Sequence, residues 1–205
     1  EMDYFEDSRT PDVGTVNLGE NDVNAIYDLP DSQFLGYEND KSLTTNATYA
    51  IRLDRKLTDK LSLKGAFYKS SLDLDDKGTS LGNVVEDTNG NPIYNQRVRG
   101  YSVSTRSDDN SVLQFDLIGD ELETGKLNHS FQVGSDYRTS NFSATSQRVS
   151  AIDTIDVFTE NTHTLPDNLR FSAVNIGGAK SKAIGFVAQD GITFTKCFKT
   201  FLGVR

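Results

Sequence analysis

Alternation of apolar and polar residues is the feature that most restricts the fold of this chain. In residues 47–57 the odd positions are mostly apolar and the even positions mostly polar. The alternation restarts after the Thr58-Asp59 pair and continues through residues 61–68. Because successive residues of a strand point to opposite faces, each run has one apolar and one polar face. Two such runs separated by so short a connection indicate an antiparallel β-hairpin.

Two further hairpins follow the same design, and their short connections are residues 121–126 and 195–198. Apolar residues do not recur at the i, i+3, i+4 spacing that an amphipathic helix requires, and β-branched and aromatic residues are frequent in the runs. Together with an opening run around residues 3–6, the pattern predicts an all-β antiparallel fold of about seven strands.

The third hairpin is less regular than the other two. Asp190 falls on the apolar parity of its run, and Phe201 falls on the polar parity of the run that follows. An extra residue at either place would form a β-bulge, which exchanges the two faces of the strand beyond it. We therefore expect a bulge as one explanation, and the facing of the third hairpin stays open.

The connections at the other ends of the hairpins are long and polar, at roughly residues 10–42, 74–97 and 145–181. Outer-membrane β-barrels have short turns on the periplasmic side and long loops on the outside. We therefore predict that residues 1–205 are a segment of transmembrane barrel wall. The sequence ends within a strand-like run, so we expect further strands beyond it. Periodicity alone also allows a soluble β-sandwich.

Composition argues against several other functions. The net charge of -9 disfavours a nucleic-acid partner, which requires a basic surface. No Gly-x-Ser-x-Gly motif, phosphate loop or dinucleotide-binding glycine pattern is present, so we expect no catalytic residues and no enzyme activity. The single cysteine, Cys197, excludes an internal disulfide and is expected to be buried or interfacial.

Metal-binding patterns are equally weak. His129 and His163 are not part of a zinc-spaced motif. Residues 73–78 and 87–91 are rich in Asp, Asn and Gly, as calcium loops are, but neither segment has the Glu that completes the calcium-binding spacing. We expect solvated turns there, and neither a metal site nor a cofactor.

Several local sequences resemble TonB-dependent siderophore receptors. Residues 7–16 read DSRTPDVGTV, which is similar to a strand end and loop start of that family. The other similar segments, in order along the chain, are Leu29-Pro30, Phe34-Leu35-Gly36, the hairpin 57–63, and the strands 185–195 and 201–205. None of these motifs is specific alone, but their order and spacing cover most of the chain.

The resemblance implies a bacterial outer-membrane barrel of about 22 strands with an N-terminal plug in its lumen. Such a receptor imports a ferric siderophore with energy passed from the inner membrane through TonB. This chain would form about a third of the wall and contact the outer-membrane lipid. The plug is not recognisable here, so TonB would act through an N-terminal region outside this sequence. Receptors for a glycan or cobalamin, and a secreted β-sandwich binding module, are the alternatives.

Candidate ligand contacts follow from the barrel interpretation. Polar-parity residues near the long segments would line the outer mouth, which selects Tyr68 and Ser70 on one strand and Asp136 and Arg138 on another. Arg138 would donate charge-assisted hydrogen bonds to an anionic ferric chelate, and Tyr68 would offer an amphipathic surface. Tyr94, Arg97 and Arg99 lie at an expected loop-to-strand junction and are comparable candidates. The competing interpretation is that such residues mainly hydrogen-bond one another and the plug.

Overall fold

A computed structural model describes residues 1–11, 13 and 33–205. All the regular elements of this part are strands: β1 (Met2–Arg9), β2 (Lys41–Thr58), β3 (Leu61–Glu86), β4 (Pro92–Thr124), β5 (Leu127–Asp156), β6 (Asn175–Thr195) and β7 (Phe198–Val204). They form a single antiparallel sheet in which every strand pairs with its neighbour in the chain. The predicted all-β fold of seven antiparallel strands is confirmed. A β-sandwich needs a second sheet, and the described residues form only one.

Three tight turns close the hairpins at one end of the sheet, which we call the short-turn end. They lie between β2 and β3, β4 and β5, and β6 and β7, at the three predicted connections. Gly125 has a φ of 68°, a left-handed conformation that glycine adopts without strain. In the β6–β7 turn the Thr195 hydroxyl accepts hydrogen bonds from the backbone N–H groups of Cys197 and Phe198. Local turn chemistry therefore fixes the strand ends here.

Backbone pairing gives the sheet two chemically different faces. Ile51, Phe67, Leu113, Tyr137 and Ile184 are successive partners across β2 to β6, so their side chains share one face. We call this the apolar face. The next residue of each strand lies on the opposite, polar face, and those partners are Arg52, Ala66, Gln114, Asp136 and Gly185. The apolar face is open, with Ile51 69% and Phe186 71% exposed.

The apolar face carries a band of limited height. Along β5 its residues run from Leu127 to Tyr137, and beyond Tyr137 the same face continues with Thr139 and Asn141. At roughly 3.3 Å per residue, the band extends about 33 Å along the strand, or about 25 Å across it for a tilt near 40°. This is the height of the apolar band of an outer-membrane barrel.

The bulge expected at Asp190 or Phe201 is wrong, and the register shift of the third hairpin falls between Thr193 and Thr195, next to the turn. β5 and β6 pair without a register shift from Asn128↔Thr193 to Ser146↔Asn175. β6 and β7 pair evenly from Ala188↔Val204 to Thr193↔Lys199. Asp190 therefore stays on the apolar face and Phe201 on the polar face. The carboxylate is accommodated by a side-chain partner, since Asp190 Oδ2 lies 2.7 Å from Nδ1 of His129.

Strands extend far into two of the segments expected to be long loops. β3 continues to Glu86 and β4 starts at Pro92, so most of residues 74–97 is strand. β5 continues to Asp156 and β6 starts at Asn175, which leaves residues 157–174 as the connection. A segment with polar residues on both faces can be either a loop or a strand that lies outside an apolar environment. Composition does not distinguish the two, so the predicted loop boundaries were misplaced. Of the segment 10–42, residues 12 and 14–32 lie outside the described part, and these include Leu29-Pro30 and positions 12 and 14–16 of the segment 7–16.

A small buried core lies at the far end of the sheet, opposite the short turns. It consists of Leu35, Ile155 and Val157, with Val13 and Leu81 packed against it. Residues 33–40 and the start of the β5–β6 connection thus fold onto the projecting strands. No helix among the described residues has the length and hydrophobicity that crossing a membrane requires.

Candidate functional site

The structure places Tyr68 and Arg138 on the same face. Both are backbone partners of Val112, Tyr68 from β3 and Arg138 from β5. Two strand spacings separate them, about 10 Å. We expected both residues to lie next to the long connections. They do not, because β3 continues beyond Tyr68 as far as Glu86. They lie instead at the level of Tyr137, which is the edge of the apolar band.

Two further residues complete a cluster around them. Arg52 donates from Nε to the Tyr68 hydroxyl at 2.9 Å, and its guanidinium carbon is 5.5 Å from the centre of the Tyr68 ring. Arg138 donates from Nε to Oδ2 of Asp136 at 2.6 Å. We call Arg52, Tyr68, Asp136 and Arg138 the lower cluster. Arg52 was not predicted as a contact; the observed pairing places it opposite Ala66, next to Tyr68.

The lower cluster presents two exposed guanidinium groups. The Arg138 side chain is 52% exposed, and Arg52 is also exposed. Within the described residues both arginines donate their side-chain hydrogen bonds through Nε, and no bond of their terminal guanidinium nitrogens is found there. Guanidinium groups of this kind form bidentate, charge-assisted hydrogen bonds with oxyanions.

A hydrogen-bonded ladder lies nearer to the short turns on the same face. Asp116 accepts from Nε2 of Gln114 at 2.7 Å and from Nε2 of Gln132 at 2.8 Å. Gln189 extends the ladder by donating to Oε1 of Gln132 at 2.8 Å. Asp116 is nearly buried although it lies on an open sheet. These polar-face side chains therefore bond one another across three strands.

Arg99 belongs to a different environment, the buried end of β4. Its Nε and Nη2 donate to the two carboxylate oxygens of Asp153 at 2.8 and 2.5 Å. Nη2 also donates to the carbonyl of Thr162 at 2.9 Å, and Nη1 to the carbonyl of Leu35 at 3.3 Å. The guanidinium stacks on Tyr37, 4.1 Å from the ring centre. Arg99 thus joins two connecting segments to the sheet.

Arg99 and Asp153 each stabilise the charged form of the other. Burial opposes the charge on Arg99, but the hydrogen bonds and charge of Asp153 outweigh it and raise the pKa of the guanidinium. Burial would likewise raise the pKa of Asp153, yet Arg99 outweighs it and holds that pKa below its usual value. Burial raises the pKa of Tyr37 to about 12. All three side chains keep their neutral-pH charge states over a wide pH range.

Tyr94, Arg97 and Arg99 do not join Tyr68 and Arg138. Arg97 is nearly buried and donates from Nη1 to the carbonyls of Tyr94 and Gln96. Arg97 and Arg99 have the parity of the apolar face, and Arg99 lies about 40 Å along β4 from Val112 at roughly 3.3 Å per residue. The predicted contacts therefore separate into two sites, and the ligand role of the distal group stays a prediction.

Histidine, aspartate and cysteine residues outside these clusters were also located. Among the described residues no group of three or more His, Cys, Asp or Glu side chains could hold a metal ion. Asp87 caps a turn by accepting from the backbone N–H groups of Asn89 and Asn91, both at 2.8 Å. His163 lies in a connection, as expected. Cys197 is exposed in the β6–β7 turn, so the expectation that it is buried or interfacial is wrong. A two-residue turn gives its side chain nothing to pack against.

These features define a class of structure. An antiparallel sheet in chain order, with tight turns at one end and an open apolar band on one face, is a segment of β-barrel wall.

Three solved structures have a similar fold. The chain is similar to the closed form of the ferric-catecholate import receptor Fiu from E. coli K12, with a TM-score of 0.62 and 15% identity over 97% of this chain and 30% of the receptor. For the open form the TM-score is 0.63, with 14% identity over 98% of this chain and 33% of the receptor. For the siderophore receptor PiuA from Acinetobacter baumannii the TM-score is 0.58, with 15% identity over 95% of this chain and 30% of the receptor.

The comparisons support the fold without a sequence match. No protein-family model matches the chain, and no curated protein matches it in sequence. The chain spans about a third of the length of the receptors it resembles. Its fold is that of a barrel segment of a siderophore receptor, so the fold implied by the local motifs is confirmed.

Proposed function

We propose that this chain forms part of the wall of a bacterial outer-membrane receptor that binds a ferric siderophore and imports it with energy supplied through TonB. The observation that carries the proposal is the match of nearly the whole sheet to ferric-siderophore receptor barrels. An exposed apolar band of membrane height supports an outer-membrane location. The TonB contact and the plug would belong to a part of the receptor outside this sequence.

The lower cluster is the proposed ligand contact within this chain. In a closed barrel the polar face lines the lumen. Arg52 and Arg138 would each donate charge-assisted hydrogen bonds to an anionic chelate, and Tyr68 would pack against its apolar parts. Asp136 and the Tyr68 hydroxyl hold the two guanidinium groups in place through Nε. This arrangement lowers the entropic cost of ordering the long side chains on binding.

The lower cluster also distinguishes the proposed ligand from the alternatives. A neutral glycan offers no anionic group to two guanidinium groups, so a glycan receptor would leave their terminal donors without a charged partner. The cluster therefore favours an anionic ligand. Tyr94, Arg97 and Arg99 remain candidate contacts at the far end, but the proposal does not depend on them, since Arg99 donates to Asp153 and two backbone carbonyls.

Equilibrium binding tests the proposal. The full-length receptor that contains this sequence, purified in detergent, is titrated with an anionic ferric tris-catecholate chelate and with a neutral ferric tris-hydroxamate chelate. We expect the anionic chelate to bind, and Arg52→Ala and Arg138→Ala each to weaken binding by about tenfold, the size of a lost hydrogen bond to a charged group.

The matched control is Lys56→Ala, which removes a cation from the polar face of β2 near the short turns and should leave affinity unchanged. A receptor that binds neither ferric chelate, or that binds a glycan or cobalamin instead, would contradict the proposal. An equal loss of affinity in Lys56→Ala would show that affinity depends on the net charge of the receptor and not on the lower cluster.

A further inference from the structure

A second arginine–aromatic cluster lies on the polar face, farther from the short turns than the lower cluster. Arg106 donates from Nε to Oδ2 of Asp108 at 2.6 Å and from Nη2 to Oδ1 at 3.3 Å. Its guanidinium carbon is 4.9 Å from the centre of the Phe142 ring. We call Arg106, Asp108 and Phe142 the upper cluster.

Backbone pairing brings the upper cluster together from two strands. Asp108 and Phe142 are direct partners across β4 and β5, and Leu72 is the partner of Asp108 on β3. Arg106 is the partner of Leu74. All of these residues share the parity of Val112, and therefore the face of Tyr68 and Arg138. The upper cluster is thus a guanidinium, its paired carboxylate and a phenyl ring, with Leu72 and Leu74 beside them on the polar face.

The upper cluster repeats the chemistry of the lower one. In both, an arginine is bonded through Nε at 2.6 Å to an aspartate on the same strand and face: Arg106 to Asp108, and Arg138 to Asp136. In both, a guanidinium stacks on an aromatic ring. The Arg106 side chain is 53% exposed, so its outer edge is open to a ligand. The polar face therefore carries two clusters with the same hydrogen-bond donors and the same kind of aromatic surface.

The two clusters are too far apart to form one contact. Arg106 lies about 20 Å along β4 from Val112, the residue opposite Tyr68 and Arg138, at roughly 3.3 Å per residue. Val112 also lies at the edge of the apolar band, so the upper cluster stands beyond the membrane on the face that would line the lumen. A ligand entering from outside would meet Arg106 and Phe142 first.

We infer that Arg106 and Phe142 form an entry subsite that captures the anionic chelate before it reaches Arg52, Tyr68 and Arg138. This inference rests on the proposed function. The guanidinium attracts the anion, and the phenyl ring and Leu72 contact its planar or apolar parts. A capture site of this kind accelerates association, whereas the lower cluster sets the final affinity.

Association kinetics of the full-length receptor test this inference. The probe is the ferric tris-catecholate chelate, and the variants are Arg106→Ala, Phe142→Ala and Arg138→Ala. At low ionic strength we expect Arg106→Ala to slow association by about tenfold with little change in final affinity, and Phe142→Ala to slow it less. Arg138→Ala should instead weaken the final affinity by faster dissociation.

The control is Lys180→Ala. Lys180 pairs with Asn141 and has the parity of the apolar face, at the same height as Phe142. The substitution therefore removes one cation from the opposite side of the sheet. Association at the wild-type rate in Arg106→Ala, or equal slowing in Lys180→Ala, would overturn the entry subsite alone. A wild-type receptor that binds no ferric chelate would overturn both the entry subsite and the proposed function.

Discussion

The carboxylate of Asp116 lies directly over Gly134, its backbone partner across β4 and β5. A Cβ atom on residue 134 would overlap Oδ1 of Asp116. The same Oδ1 accepts the hydrogen bond from Gln132, and Oδ2 accepts the bond from Gln114. The missing side chain at residue 134 is therefore what allows the carboxylate to lie flat on the wall and join the ladder.

Gly134→Ala should destabilise the barrel by about 1–3 kcal/mol, the usual cost of inserting atoms into a filled space. The added methyl group displaces Asp116 and breaks its bonds to the two glutamines. Thermal unfolding of the full-length receptor in detergent measures the effect. Gly177→Ala is the control, because a Cβ atom there meets nothing within 4 Å. Equal melting temperatures for the two variants would contradict this account.

The pair His129 and Asp190 should show strong coupling in a double-mutant cycle. Asp190 lies on the apolar face between Phe131 and Leu202, where an unpaired carboxylate is unfavourable. We expect His129→Leu to destabilise the receptor by about 2 kcal/mol in lipid vesicles, a value reduced because both side chains are partly exposed. Adding Asp190→Leu, the second single substitution of the cycle, to His129→Leu should restore or exceed wild-type stability.

Urea unfolding of the four proteins in vesicles gives the coupling free energy. The pairing account requires that the two single substitutions together cost more than the double substitution does. Additive effects would mean that each side chain contacts the lipid independently of the other.

Breaking the pair of Arg99 and Asp153 should loosen residues 33–40 and 157–165 without unfolding the sheet. Asp153→Ala leaves a buried guanidinium without its carboxylate, which costs about 3–5 kcal/mol. We expect faster amide hydrogen exchange in both segments, measured by mass spectrometry, with unchanged exchange in β5 between Leu127 and Tyr137. Lys196→Ala, in an exposed turn, is the control. Faster exchange in only one segment would contradict a shared attachment.

The same pair predicts the pH dependence of this attachment. Since Arg99 holds the pKa of Asp153 below its unfolded value of about 3.9, the stabilisation is fully present above that value and is lost as pH falls through the folded pKa. Exchange in the two segments should therefore stay constant from neutral pH down to about pH 4, after correction for the intrinsic exchange rate, and rise only in more acidic solution. An increase near pH 6 would point to another titrating group.

Cys197 should react with thiol reagents in the folded receptor. It is exposed in the β6–β7 turn, and residues 1–205 contain no other cysteine. If the short turns face the periplasm, a reagent that cannot cross the outer membrane should label Cys197 only after that membrane is permeabilised. Labelling is quantified by mass spectrometry on cells. Labelling of intact cells would reverse the orientation proposed for the sheet.

Local sequence predicted the parts of the fold that depend on alternation. In residues 47–68 an apolar face that includes Ile51 and Phe67 and a short connection between the two runs suffice to predict a hairpin, because each strand residue alternates sides whatever its partner is. The turn itself lies at Asp59-Lys60, one residue beyond the predicted Thr58-Asp59. Residues 74–97 were misjudged as loop for the same reason. Once both faces are polar, as around Asp75 and Ser104, alternation disappears although backbone pairing continues.

The candidate site was predicted in part. Parity alone places Tyr68, Arg138 and Arg52 on one face, but the contact of Arg52 with Tyr68 depends on the register between β2 and β3. Arg99 could not have been separated from them by sequence, because its burial depends on Leu35, Asp153 and Thr162, which are distant in the chain. Nothing local indicates which distant groups surround a side chain.

The sequence by itself determined the strand character, the three tight turns and the two faces, since these follow from the chemistry of neighbouring residues. Only the tertiary structure decided how far the strands extend, whether Asp190 shifts the register, and which arginines meet. Those outcomes depend on pairing between strands: register is set by the sum of many backbone hydrogen bonds and side-chain contacts across the sheet, and no single strand contains that information.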